Sequence, residues 1–218
     1  MIIRLLTQYI LSTMLKKTLF LIPAIVVLLA GAAIPFFYES PSMWYKTGLD
    51  KWLLRIGKIL GIVATILIFY QVILISRFKS LEKTYKLKNL FQGHRINGLI
   101  LLGAAIIHPI LILGADHFVF FPFEFKYWPE FTGVGLLVVL TLFVLSSYFR
   151  QRIKLDYKLW RILHRSFAPI ILILLFTTYG LKEEWKSYKA EQNVTWYLVI
   201  KYVFLLCFCI LDSTNKCN

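Results

Sequence analysis

Two of the chain's four histidines bracket one apolar run, His94 to Pro109, written HRINGLILLGAAIIHP. A separation of fourteen residues turns a helix through about 1400°, some 40° short of four full turns, so both fall on one face about 21 Å apart along the axis. That distance is most of the roughly 30 Å hydrocarbon thickness of a bilayer. Neutral imidazole is a common axial ligand of haem iron. Two imidazoles on one stripe near opposite membrane faces is the geometry needed to hold two stacked haems. Ordinary helix-end histidines would show the same spacing, so this segment alone leaves both readings open. Gly98 and Ala105 share the stripe, at about 40° and 20° from His94. Small side chains there leave room for a flat macrocycle, and equally let bare helices pack closely. Pro109, directly after His108, removes a backbone donor that would otherwise reach the Ala105 carbonyl.

The chain that must position these residues has 218 residues, 59% of them hydrophobic and only 17% charged. An ordinary soluble domain is about a quarter charged, so the composition is that of an integral membrane protein. Aromatic residues reach 17%, as expected of Trp and Tyr belts at the membrane interfaces. The net charge of +14 would fit a nucleic-acid partner, but the basic residues fall in short loops between apolar runs, and topology explains them better. Six apolar stretches stand out, roughly Thr18–Phe37, Ile59–Ser76, Ile96–Ala115, Phe131–Phe149, His164–Leu181 and Thr195–Leu211. The expected fold is therefore all-α, a polytopic bundle of six transmembrane helices over residues 18–211. A segment of residues 1–17 precedes it and a short tail of residues 212–218 follows. The first stretch, with Lys16 and Lys17 before it and AGAA within it, resembles a signal peptide. Its uncharged run of about twenty residues is the length of a span instead.

Loop charges alternate. Arg77, Lys79, Lys83, Lys86, Lys88 and Arg95 stand against Glu82 alone, and Arg150, Arg152, Lys154, Lys158, Arg161 and Arg165 against Asp156. The loop between these two sets carries Asp116, Glu124 and Glu130 against Lys126, and the loop after the fifth stretch is balanced. By the positive-inside rule both termini and the even-numbered loops are cytoplasmic. The first outer loop fits least well, with Lys46, Lys51, Arg55 and Lys58 beside Glu39 and Asp50; Lys51 to Lys58 reads as an interfacial amphipathic turn. The aromatic loop DHFVFFPFEFKYWPEF reads as an outer interfacial belt. On this topology the third and fifth spans run the same way, so His94 and His164 lie at one depth, as two axial ligands of one b-type haem should. Each is followed by arginine, Arg95 and Arg165, and arginine at the membrane edge can pair with propionates bidentately. The same two arginines also satisfy the positive-inside pattern.

The helix His94–x13–His108, the WRILHR start of a later helix, the six spans and the basic inner loops resemble the ferric reductase-like transmembrane domain family. That family includes ferric reductases, NADPH oxidases and the haem-binding membrane subunit of periplasmic methionine sulfoxide reductase. The resemblance covers about Ile59 to Leu211. It implies two histidines on each of the third and fifth helices and a relay of electrons across the membrane by two haems. His94 and His164 match the inner pair, and His108 matches one outer ligand. The fourth position falls on Thr177 or Thr178, and threonine is a poor iron ligand. Tyr179 follows, a residue type able to ligate haem iron but common at interfaces, and His117 in the outer loop is a further candidate. One complete bis-histidine site for haem b is expected, with a second in doubt.

No GxGxxG turn occurs, so FAD and NAD(P)H are expected only through a partner, a cytoplasmic flavoprotein reductase docking on the basic loops. The alternative is that the chain is part of a longer reductase. An outer-face acceptor protein is also expected, in the cell membrane of a bacterium, which makes the chain an oxidoreductase component that needs a partner reductase. Cys207, Cys209 and Cys217 imply no disulfide framework, and the chain has no CxxCH haem-attachment motif. Lys201, in the middle of the sixth stretch, is unexplained beyond the rule that such charges face a polar interior. Two other classes stay open. A transporter would use the histidines to line a pathway, although no Asp or Glu lies inside any apolar stretch. A degenerate family member would act as a non-catalytic membrane subunit.

Overall fold

The computed structural model describes residues 2–76, 78–119, 123–124 and 127–188. Seven helices run through them: α1 (Ile2–Phe37), α2 (Pro41–Trp44), α3 (Gly48–Ile75), α4 (Lys79–Thr84), α5 (Leu87–Ala115), α6 (Trp128–Tyr148) and α7 (Tyr157–Tyr188). Five contain segments long and apolar enough to cross a membrane: Lys17–Phe37, Gly48–Ile75, Leu87–Ala115, Trp128–Tyr148 and Tyr157–Thr178. These are the first five expected spans, each beginning earlier than the apolar stretch that marked it. The sixth, Thr195–Leu211, lies outside the described residues, as do Lys201 and the three cysteines.

The helices expose apolar side chains freely: Leu19, Leu29, Leu99, Ile110, Leu142 and Ile173 are all open on the helix surfaces. In water such faces would drive aggregation; in lipid they are the correct surface, because the solvent is as apolar as leucine. The interior is correspondingly thin. It is a cluster of Ala64, Leu67, Ile68 and Phe69 from α3, Leu101 and Ala104 from α5, Leu140 from α6, and Ile171 and Leu175 from α7.

Small residues and main-chain acceptors set how α3 meets α5. Gly57 and Gly61 on α3 form a small-xxx-small pair, and both face α5. A Cβ on Gly57 would meet Ile112 at 2.9 Å, and one on Gly61 would meet the His108 ring at 2.8 Å. Further along the same seam Asn97 Nδ2 donates to the Leu67 carbonyl at 3.0 Å. Low residue numbers on α3 meet high numbers on α5, so the two helices are antiparallel. The α6–α7 pair is antiparallel too, tied by Thr132 to Thr178 at one end and by Ser147 to His164 at the other. Asp156 starts α7, its Oδ2 accepting from Lys158 N at 2.9 Å and Leu159 N at 3.3 Å, as an N-cap carboxylate does.

At the end of the bundle where α3 begins, residues 51–58 are not a separate interfacial turn. They are the opening turns of α3, since nothing in KWLLRIGK breaks a helix and the basic side chains find local partners. Lys51 and Arg55 both pair with Glu39, and Lys58 donates to Ser40 and Ser42. Lys46 pairs with Asp116 at 2.7 Å and also donates to the Ala115 carbonyl. It thereby places a cation on the C-terminus of α5, where the helix dipole favours one. The charges that fitted the loop alternation poorly are thus structural partners. Buried beneath them, Met43, Leu54 and Ala115 form a small second core.

Candidate functional site

His94 sits on the second turn of α5 and His164 on the second turn of α7. Both are half-buried, and their rings face each other with centroids 6.1 Å apart and planes at 72°. The matched depth expected from topology is therefore realised as a direct juxtaposition. Imidazole nitrogens bind metal ions at about 2.0–2.1 Å, so one ion ligated by both rings would place their centres roughly 6 Å apart. His94 Nδ1 is buried and has no hydrogen-bond partner among the described residues. A buried polar atom left so costs about 1–3 kcal/mol, and ligation is one way a nitrogen in that position is satisfied. Spacing, donor chemistry and this orphaned nitrogen together fit a bis-imidazole iron.

The surroundings of the two rings differ. Phe143 stacks on His164 at 4.4 Å and 17°, and Trp160 lies against it at 4.8 Å and 31°. Ser147 Oγ is 3.2 Å from His164 Nδ1. His94 is bordered by α3 through Gln71, whose amide fills the notch at Gly98: a Cβ there would lie 2.7 Å from Gln71 Nε2. Gly98 therefore admits a neighbouring side chain, the close helix packing that was one of the two readings of its small size. Arg95 and Arg165 are exposed, each one position beyond its histidine. The basic loop continues beside them, with Arg150 over the rings of Tyr157 and Trp160 at 5.3 Å each.

The second pair of family positions lies at the other end of the same helices. His108 turns to α3, its Nδ1 2.7 Å from the Gly57 carbonyl. A carbonyl only accepts, so Nδ1 carries the proton and the neutral ring keeps its lone pair on Nε2. The ring reaches that carbonyl because Gly61 has no side chain, as the 2.8 Å approach of a hypothetical Cβ shows. Of the two threonines, Thr178 is the half-buried one and Thr177 is exposed. Thr178 stands fourteen residues after His164, the same interval as His94 to His108. Its hydroxyl donates to the Leu174 carbonyl and lies 3.0 Å from Thr132 Oγ1 on α6. His117 follows α5 in a turn with φ 52° and is largely exposed, with Nε2 3.5 Å from Asp50, so its ring is directed to the start of α3. The side chain of Tyr179 lies outside the described residues.

Sequence reasoning missed Ser147, Gly57 and Gly61, and had Trp160 only as part of WRILHR, with no role of its own. Ser147 is one hydroxyl among several on an apolar helix, and nothing in its spacing marks it. The glycine pair was visible as a GxxxG interval, the pattern that marks close helix packing.

Comparison with curated proteins and with solved structures gives no match. The model of the family described as the ferric reductase like transmembrane component matches residues 60–175, more than half of the 218. That span includes His94, His108 and His164 and runs from α3 into α7. The protein is a multi-pass membrane protein, its described elements all helices, and it belongs to the ferric reductase-like transmembrane component family.

Proposed function

We propose that the chain is a haem b-binding transmembrane electron-transfer protein that passes electrons from a cytoplasmic flavoprotein to an acceptor at the outer face. The observation that carries this reading is the juxtaposition of His94 and His164 inside the family-matched segment. Bound there, haem b would supply a one-electron iron couple; the orientation, ligation and electrostatics are the protein's contribution. His94 and His164 would hold its iron through neutral imidazoles, and because each stands on a different helix, holding it would tie α5 to α7. Phe143 and Trp160 fix the plane of the His164 ring and keep water from it. Arg95 and Arg165, exposed one position beyond the two histidines, would pair with its propionates. The basic loops of residues 77–95 and 150–165 form the cytoplasmic face and receive an acidic flavoprotein surface, with FAD and NAD(P)H on that partner. Six spans place both termini on the same side, in a bacterial cell membrane.

One inner haem is the favoured stoichiometry. Thr178 occupies the position at which a fourth histidine would stand, and threonine does not hold iron. His108 serves as an outer ligand only where another group supplies the opposite side. The test is the absorption spectrum of the purified protein in detergent, before and after dithionite. A b-type spectrum that sharpens on reduction, is lost in His164→Ala and is kept in His108→Ala supports the assignment. A spectrum that survives His164→Ala places the ligand elsewhere and sinks it.

A further inference from the structure

His164 is held by a neighbouring helix as well as by its own. Ser147 on α6 lies 3.2 Å from His164 Nδ1, and the same oxygen receives the indole N–H of Trp160 at 3.4 Å. An indole nitrogen only donates, so Ser147 Oγ acts as acceptor toward Trp160. It keeps a second lone pair, and its own O–H, for the imidazole. A neutral imidazole carries one N–H, and the bond that the other nitrogen makes decides which one is protonated. When Nδ1–H donates to Ser147, the lone pair sits on Nε2.

We infer that Ser147 is a positioning residue for His164. Its oxygen accepts the Nδ1 proton, fixes the tautomer with the lone pair on Nε2, and so presents that nitrogen as an iron ligand. The inference rests on the haem reading above. Outer partners of this kind orient a ligating histidine and raise its basicity, here through a serine hydroxyl. Phe143, stacked at 4.4 Å, and Trp160, at 4.8 Å, restrict the ring's tilt while Ser147 restricts its rotation. The far end of the α6–α7 pair has a similar approach: the Thr132 hydroxyl on α6 stands 3.0 Å from that of Thr178, which lies at the interval of the next ligand position. Helix α6 thus presents a hydroxyl to α7 at both depths, and only the inner one meets a histidine.

The experiment compares the full chain with Ser147→Ala and Ser147→Thr, each purified with its haem. Two quantities are read: the haem midpoint potential by redox titration, and haem retention against apomyoglobin as competitor. Ser147→Ala is a mild change on a helix, since alanine is the best helix former, and the variant keeps its fold. Loss of the acceptor weakens haem retention about 10–100-fold, the usual cost of removing such a partner. It also moves the potential upward, because a less basic imidazole stabilises ferric iron less. Ser147→Thr keeps the hydroxyl and restores both values. Unchanged potential and retention in Ser147→Ala overturn the inference, and so does a Ser147→Thr variant that behaves like Ser147→Ala, since packing would then be the cause. A haem-free wild-type protein is a different result: it removes the haem reading itself, and the inference falls with it.

Discussion

Gly61→Ala tests whether the His108 imidazole is wedged between α5 and α3. The added Cβ would lie 2.8 Å from His108 Cε1, 3.0 Å from Nδ1 and 3.3 Å from Nε2. The obstacle is a rigid ring, held against the same face of α3 by a 2.7 Å bond to the Gly57 carbonyl one turn away, so it cannot yield as the end of a flexible chain would. Overpacking of this kind costs about 1–3 kcal/mol. Displacing the ring from its hydrogen bond adds about 0.5–1.5 kcal/mol. The intrinsic preference of a helix for alanine over glycine works the other way by about 0.5–1 kcal/mol. The net effect is a destabilisation of roughly 1–3 kcal/mol. Gly103 on α5 is the control, because a Cβ there meets nothing within 4 Å; Gly103→Ala is neutral or slightly stabilising. The assay is equilibrium unfolding in mixed micelles, followed by far-UV circular dichroism. A double-mutant cycle with His108→Ala should recover about 1–3 kcal/mol of the Gly61→Ala loss, since the clash needs the ring. If Gly61→Ala unfolds with Gly103→Ala, or its loss is unaffected by removing His108, the wedge does not exist.

Thr178→His supplies the fourth family ligand on the face where Thr132 already stands, and raises haem content from one toward two per chain by pyridine haemochrome assay; Thr177→His, on the exposed face, leaves it at one. Lys46→Met removes a cation from the α5 C-terminus and should lower stability by about 0.3–1 kcal/mol at low salt, read from the same unfolding curves, with a smaller difference at high salt. The hydrogen bond and charge of Lys51, with Arg55 beside it, hold the Glu39 carboxyl below its ordinary 4.5. A carboxyl with a lowered folded pKa contributes stability that is in place above the ordinary value and is lost as pH falls through the lowered one. Thermal melts from pH 7 down to 3 should therefore show Glu39→Gln converging on wild type at the acid end; a gap that stays constant with pH would show that the ion pairs add nothing.

The positions of the first five spans and the meeting of His94 with His164 were legible in the sequence because both follow from rules of length and alternation. Twenty apolar residues cross a bilayer, and basic loops mark one side of it. The same rules misread Lys51 to Lys58, whose charges answer to Glu39, Ser40 and Ser42 in space, over sequence distances that no window of composition links. The histidine stripe predicted that His94 and His108 share a face. It could not say that one meets another helix's histidine while the other is seated on a glycine of α3, because helix rotation is set by packing between helices. Gly98 shows the same limit. Its small size was legible, but its occupant, the Gln71 amide, is decided by the register of α3 against α5. Thr177 and Thr178 were equivalent by counting and are separated only by which of them faces α6. Ser147 had no signal at all, since its role exists only once Trp160 and His164 stand opposite it.

Haem content per polypeptide reports whether His94 and His164 together hold one haem b. The purified chain should carry one haem, with an absorption spectrum that changes on reduction, and should carry none in either His94→Ala or His164→Ala. A folded, colourless wild-type protein, or a haem that survives either substitution, would contradict that assignment.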